Sequence, residues 1–269
     1  MAKPARARRA AAAPRSRRAP RRYAVPYDTA GPRVRLGVVW FLVAATAVVV
    51  GPVPTAAVYG GAAAVAAAQS ARCWRREGAR PNEVVAAAMA GAMAGGACFG
   101  ASGAGVALLG GVVAAGVVAG GDRKSPHPTV ADVGSTIQCG MFPGLVGLSM
   151  VLLDRFDQGS ALALLVLVSA YEIGDYVVGS GARTPYEGPA AGLVAVVVVT
   201  FVLSATPVYT LSFSATWIFG SLVAIGAPAG QLVASALLPT AAGPASALRR
   251  IDSLLLVGPA WCWGIGLVL

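Results

Sequence analysis

The sequence predicts an all-α bundle of about nine transmembrane helices, with a cytoplasmic N-terminus and an external C-terminus. Apolar residues make up 57% of the 269 residues and charged residues only 12%. The mean hydropathy of +0.70 lies far above that of soluble domains. Apolar runs close to the length that crosses a bilayer, about twenty residues, recur along the chain. These observations indicate a polytopic membrane protein, and we expect it in a bacterial plasma membrane.

Nine apolar runs can be placed, and eight spans are an alternative because several runs are separated by only a few residues. Arginine and lysine concentrate in cytoplasmic loops of membrane proteins, and an odd number of spans puts every loop with a clear basic excess on the side of the N-terminus. The runs cover residues 36–51, 55–71, 84–101, 103–120, 134–153, 160–180, 190–206, 208–229 and 251–269.

The chain divides into a basic tail (1–35), an Ala/Gly-rich membrane region (36–131) and a second membrane region (132–269). The tail holds eleven of the 21 lysines and arginines, with Asp28 as its one acid. It has too few large apolar residues to form a core, so we expect it to be disordered. The tail either binds anionic lipid headgroups or acts only as a topology signal. We do not expect it to bind nucleic acid, because it is tethered to a bilayer.

Other common sites are not indicated. The four cysteines are scattered without a C-x-x-C pair, and His127, the only histidine, cannot build a histidine-ligated metal site. The pairs Gly91-x-x-x-Gly95 and Gly96-x-x-x-Gly100 lie in apolar runs. Small residues at this spacing allow helices to approach closely in lipid, so we interpret these glycines as packing positions rather than as a nucleotide loop.

Two acids lie within the sixth apolar run. Glu172 and Asp175 are three residues apart and therefore share a helix face. A charged side chain in hydrocarbon costs about 3 kcal/mol or more, so acids at this depth are candidates for function. Glu172 would lie roughly 12 Å below the cytoplasmic end of its helix, at 1.5 Å per residue. The alternative is a structural ion pair, or a protonated acid bonded to a neighbouring helix.

The last forty residues contain G-Q-L-V-A-S (230–235), L-R-R-I-D-S-L-L (248–255) and Pro259. This order resembles the C-terminal motif of the phosphatidate cytidylyltransferases, also called CDP-diacylglycerol synthases, which read G-D-L-x-E-S and L-D-R-x-D-S. Several family residues are replaced, and the Lys-Asp and H-G-G elements are missing because the connecting loop is shorter. The replaced positions are Gln231 for Asp, Ala234 for Glu, Leu238 and Pro239 for Lys-Arg, and Arg249 for Asp.

The resemblance covers about residues 132–269 and extends to the segments after the sixth run. The family's D-x-x-A-Y-x-x-G corresponds to Glu172 through Gly179, and its K-T-x-E-G resembles G-A-R-T-P-Y-E-G (181–188). By the resemblance, Glu172, Asp175 and Asp252 are candidate catalytic residues, and Asp252 with Glu172 candidate metal ligands. The candidate substrate-binding residues are Arg183, Thr184, Glu187, Ser235, Arg250 and Ser253.

The resemblance implies Mg²⁺-dependent transfer of CMP from CTP to phosphatidate, which needs several carboxylates around hard cations. Three family acids are gone, and Arg249 puts a positive charge where a cation should bind. We therefore expect impaired or lost catalysis. The alternative is a non-catalytic membrane protein that binds lipid or nucleotide or assembles with a partner, a homodimer included. Asp252 also has a simpler interpretation, as the N-cap of the ninth helix.

Overall fold

A computed structural model describes residues 33–121, 130–206, 211–240 and 243–267. His127 and the basic tail up to residue 32 lie outside these ranges. Within them the chain forms helices and no strands. The helices are α1 (Arg33–Val50), α2 (Pro52–Arg76), α3 (Glu83–Ala97), α4 (Ala101–Gly121), α5 (Val130–Phe156), α6 (Gln158–Gly179), α7 (Glu187–Ala205), α8 (Phe213–Leu237), α9 (Leu248–Ile251) and α10 (Leu254–Ile265).

The all-helical prediction is confirmed for the described residues. Five helices, α4 to α8, are long and apolar enough to cross a membrane by length and composition, which is consistent with an integral membrane protein. Two further helices, α1 and α3, are apolar over shorter stretches. Each of the nine predicted runs overlaps a helix. The count of nine spans and their orientation stay predictions.

The ninth run differs from its prediction as one continuous span. Asp252 and Ser253 separate α9 from α10, and Pro259 lies inside α10. The interpretation of Asp252 as an ordinary N-cap is wrong. Asp252 has helical angles at the end of α9, and no side chain caps the start of α10. Its carboxylate is engaged elsewhere, as shown below.

Small residues allow the helices of the first half to pack closely. A Cβ on Gly60 of α2 would lie 2.9 Å from the Cβ of Ala94 in α3, and one on Gly96 of α3 would lie 2.5 Å from the carbonyl oxygen of Gly103 in α4. The predicted packing role therefore holds for Gly96. It also holds for Gly91, which faces Ala64 at 3.7 Å.

The other two glycines of the predicted packing pairs behave differently. Gly95 has nothing within 4 Å of the position its Cβ would take. Gly100 has a φ of 92° and forms the break between α3 and α4. Glycine is required there because other residues rarely adopt that backbone conformation.

Helices α6 and α7 pack through two glycines beside the first of the predicted acids. A Cβ on Gly174 would lie 2.7 Å from the carbonyl oxygen of Ala191, and one on Gly192 would lie 2.7 Å from the ring of Tyr171. Tyr171 is fully buried in the main core, which also contains Tyr59, Phe219 and Trp261. The close approach of α7 fixes the rotation of α6 and so the direction of its acids.

Side chains of α2 position the segment before α9. The indole N–H of Trp74 donates to the carbonyl of Leu237 at the end of α8, at 2.9 Å. Gln69 accepts a hydrogen bond from the backbone N–H of Ala247 at 2.9 Å, and its amide donates to Ser246 at 3.4 Å. Residues 237–247 are thus tied to α2 at both ends, which fixes where α9 starts.

Candidate functional site

The break between α9 and α10 packs directly on α8. The carbonyl oxygen of Asp252 lies so close to Gly230 that a Cβ at that position would collide with it. Because the colliding atom belongs to the backbone, it cannot move aside as a flexible side chain could. This contact accounts for glycine at the first position of the G-Q-L-V-A-S motif, and it brings Asp252 beside Gln231 and Ser235.

Arg249 forms a buried ion pair with Asp252. Its guanidinium nitrogen lies 3.6 Å from the Asp252 carboxylate, and the two side chains are only 11% and 6% exposed. The same nitrogen donates to the hydroxyl of Ser235 at 2.9 Å and to the carbonyl of Gln231 at 3.4 Å. Arg249 therefore fills the space between α8 and the helix break, next to the one acid of the C-terminal motif that survives.

Glu172 of α6 reaches the same break. Its carboxylate lies near the Ser253 side chain and within electrostatic range of Asp252, Arg250 and Asp175. The Ser253 hydroxyl is 3.5 Å from the carboxylate of Asp252, so it lies between two acids. Glu172, Asp252 and Ser253 therefore lie together at this break.

Asp175 belongs to the same cluster but has a different hydrogen-bond partner. It is 4% exposed, and its carboxylate accepts a hydrogen bond from the Gln231 amide at 3.4 Å. The carbonyl of that amide accepts a hydrogen bond from the hydroxyl of Tyr171, also at 3.4 Å. Gln231 therefore bonds an acid at the position where the resemblance would place an aspartate.

Arg183, Thr184 and Glu187 form an exposed group in the segment before α7. Glu187 accepts hydrogen bonds from the backbone N–H of Thr184 at 3.0 Å and from its hydroxyl at 2.9 Å. The backbone N–H of Arg183 is 3.4 Å from the same carboxylate. Glu187 is the first residue of α7 and the N-cap Tyr186 makes no side-chain capping bond, so these hydrogen bonds close the segment before the helix. No hydrogen bond or ion pair between described residues joins this group to the Glu172 cluster.

Tyr59 of α2 is a site residue that the sequence analysis missed. It is 1% exposed, lies within electrostatic range of Glu172, and its hydroxyl has no hydrogen-bond partner. The available signal was compositional. Tyr59 is the one large polar aromatic residue between Pro52 and Gln69, in a helix otherwise rich in alanine and glycine.

The cluster does not fit a pair of magnesium ions. Mg²⁺ needs several oxygen ligands in octahedral geometry, usually with carboxylates contributing full negative charge. Asp252 is already neutralised by Arg249, and Asp175 is bonded to Gln231. In the part of the chain that the structure describes, no three His, Cys, Asp or Glu side chains form a group that could hold a metal. Metal ligation by Asp252 and Glu172 stays a prediction.

Comparison with known proteins leaves the family open. No protein-family model matches the chain, and searches of curated proteins and of solved structures return no significant match. The site therefore has to be interpreted from its own geometry. It is a buried polar cluster at the junction of α2, α6, α8 and the α9–α10 break, with three carboxylates and two guanidinium groups.

Proposed function

We propose that this protein is a divergent, cytidylyltransferase-like integral membrane protein that binds a phosphate-bearing phospholipid at its buried cluster and makes little or no CDP-diacylglycerol. The observation that carries the proposal is the Arg249–Asp252 ion pair at 3.6 Å. Phosphoryl transfer depends on positioned cations that neutralise charge in the transition state. A guanidinium beside the surviving acid excludes such a cation by charge repulsion.

The lipid-binding part of the proposal rests on Arg250. Its half-buried side chain makes no hydrogen bond or ion pair with any residue that the structure describes. A guanidinium is always charged and presents donors in a planar fork that matches phosphate oxygens. A cation held partly out of water without a direct hydrogen bond or ion pair favours an anionic ligand. Because the helices around it have apolar exposed faces, that ligand is a phospholipid.

Catalysis is tested by product formation from labelled CTP with phosphatidate and Mg²⁺. We expect no product above background from the purified full chain, and none from Asp252→Ala. The triple variant Gln231→Asp, Ala234→Glu and Arg249→Asp should bind Mg²⁺ more tightly than any single change, since metal ligands act as a set. Robust Mg²⁺-dependent turnover by the unmodified chain, abolished in Asp252→Ala, would overturn the non-catalytic proposal.

Lipid binding is tested by titrating the detergent-solubilised protein with phospholipids and counting bound lipids by native mass spectrometry. Arg250→Gln should weaken binding of phosphate-bearing lipids by about tenfold, the effect of losing one charge-assisted hydrogen bond. The matched control is Arg76→Gln, which removes the same charge from an exposed position at the end of α2. Equal losses in the two variants would reduce the effect to general charge attraction, against the proposal. CTP is titrated in parallel, and tighter binding of CTP would favour a nucleotide site instead.

A further inference from the structure

Helix α1 forms one wall of the space around Arg250. Gly37 and Trp40 are three residues apart and share a face of this helix. A Cβ on Gly37 would lie 3.7 Å from a guanidinium nitrogen of Arg250. The Trp40 ring packs edge-on against Tyr59, with ring centroids 5.8 Å apart. Arg250 and Tyr59 therefore lie about one turn apart along the same face of α1.

Both side chains also face Glu172. Its carboxylate lies within electrostatic range of Tyr59 and of Arg250, and it makes no direct ion pair with Arg250. Two donor groups from different helices thus lie within electrostatic range of one carboxylate, which itself is partly exposed. Ser253 lies near the same carboxylate, and Gly37 of α1 lies beside Arg250.

The Tyr59 hydroxyl is an independent indication of a ligand near Arg250 and Glu172. It is buried and has no hydrogen-bond partner. Buried polar groups in folded proteins are almost always hydrogen-bonded, so this hydroxyl, one of six unpartnered buried side-chain atoms among the described residues, needs an explanation. Tyr59 can donate one hydrogen bond and accept another. A bound oxygen atom between Tyr59 and Arg250 would satisfy both donors.

The charge of the cluster limits what the ligand can be. Its three carboxylates and two guanidinium groups carry one excess negative charge when all are ionised. A phosphate monoester brings up to about two more negative charges and nothing that pairs with Glu172. A headgroup that carries a phosphodiester and a primary ammonium brings no net charge. Its ammonium supplies donors that a carboxylate accepts.

We infer that the site selects a zwitterionic phospholipid, whose phosphodiester oxygen binds Arg250 and Tyr59 and whose primary ammonium binds Glu172. Leu36 and Ile173, which are next in sequence to Gly37 and Glu172 and are 55% and 63% exposed, offer apolar surface for the acyl chains. This inference rests on the proposed lipid-binding function and adds the headgroup class. It also assigns Tyr59 and Glu172 as the residues that determine headgroup specificity.

The test compares four lipids that share acyl chains: phosphatidylethanolamine, phosphatidylcholine, phosphatidylglycerol and phosphatidate. Dissociation constants for the full chain are measured in detergent by native mass spectrometry. We expect the ethanolamine lipid to bind about tenfold tighter than the other three, because only its ammonium can donate hydrogen bonds to Glu172. Glu172→Gln should remove this preference while the glycerol lipid still binds. Glu83→Gln, a surface variant at the start of α3, is the charge control and should leave the preference intact.

The possible results distinguish the inferred headgroup class from the proposed lipid-binding function. If phosphatidate or the glycerol lipid binds most tightly and Arg250→Gln weakens it, the headgroup assignment is wrong and the lipid-binding function stands. If no lipid is distinguished and Arg250→Gln has no effect, both are wrong. A preference for the ethanolamine lipid that survives Glu172→Gln overturns the role of Glu172.

A second pair of variants tests the position of the site without changing its charges. Gly37→Leu should fill the space beside Arg250 and reduce lipid binding about tenfold, whereas Gly37→Ala, whose Cβ makes only an ordinary contact at 3.7 Å, should bind normally. Gly61→Leu, at an open position on α2, is the matched control. Unchanged binding in Gly37→Leu would place the lipid elsewhere and overturn the inference.

Discussion

The ion pair of Arg249 and Asp252 contributes to the fold in a way that depends on both residues being present. Removing two charges from water is costly, and their mutual attraction repays this only when geometry and further hydrogen bonds are good. Here Arg249 also donates to Ser235 at 2.9 Å, so part of its remaining hydrogen-bonding capacity is used. The intact pair therefore adds little net stability to the protein. Removing one of its two residues should nevertheless be strongly destabilising.

Asp252→Ala should destabilise the protein by about 3–5 kcal/mol, because it leaves Arg249 as a buried cation without its counter-ion. The measurement is thermal or denaturant unfolding of the purified protein in detergent. Replacing both residues by leucine should recover most of the loss, since an apolar pair of similar volume needs no compensating charge.

The control for this prediction is an exposed ion pair on the same protein. Arg72 and Glu83 lie 2.7 Å apart, with side chains 54% and 27% exposed. Glu83→Gln should cost less than about 1 kcal/mol, because exposed pairs are screened by water. Comparable losses in Asp252→Ala and Glu83→Gln would contradict the view that the Arg249 pair is buried in the folded protein.

At the scale of helices, glycines set the distances that bring the site together. Gly230 permits the carbonyl of Asp252 to lie against α8, and Gly174 permits α7 to lie against α6. Lipid supplies no hydrophobic drive between helices, so such close contacts contribute much of the packing energy in a membrane. The site depends on two helix contacts that a single methyl group would disturb.

Gly230→Ala should lower stability by about 1–3 kcal/mol, since its Cβ meets backbone that cannot move aside cheaply. Unfolding in detergent measures the loss. Gly61→Ala is the control: it is also a helix-interior glycine, but with nothing within 4 Å of its Cβ position. That change should be neutral or slightly stabilising, because alanine favours the helix. Equal behaviour of the two variants would show that α8 and the helix break do not touch.

The sequence predicts the helices well because hydrophobicity over twenty residues is a local property. It also identified Glu172, because a charge within an apolar run is conspicuous, and Asp252, through the resemblance of the C-terminal motif. The partners of those acids could not be predicted. Whether Tyr59 faces Glu172 depends on how α2, held by Trp74 and Gln69, packs against the segment before α9. Such a contact joins residues more than a hundred positions apart, and local pattern carries no information about it.

The same distinction between local and long-range information explains the replaced family positions. Gln231 and Arg249 were interpreted from the sequence only as losses of acidic ligands. The structure gives each a partner, Asp175 for Gln231 and Asp252 for Arg249. That Gln231 and Arg249 bond to acids could not be predicted from the sequence, because their partners become visible only when the helices are packed together.

At the scale of the whole molecule, the charged residues at the ends of the helices distinguish the two faces of the bundle. The last turn of α5 contains Asp154, which accepts a hydrogen bond from Thr55 of α2 at 2.8 Å. The opposite face carries the arginines at the end of α2 and those of α9. If basic residues mark the cytoplasmic face, the buried cluster opens towards the cytoplasm and Asp154 lies near the external one.

Cysteine labelling tests this topology directly. Two exposed positions serve as probes in a variant without its four native cysteines: Phe156, at the end of α5, and Ser246, in the segment before α9. A membrane-impermeant thiol reagent applied to intact cells should label Phe156→Cys and leave Ser246→Cys unlabelled until the membrane is opened. This follows because α6, α7 and α8, each long enough to cross the bilayer, separate the two positions and put them on opposite sides. Labelling of both from outside would reverse the placement of Arg249 and Arg250, and the cluster could then not face the cytoplasm.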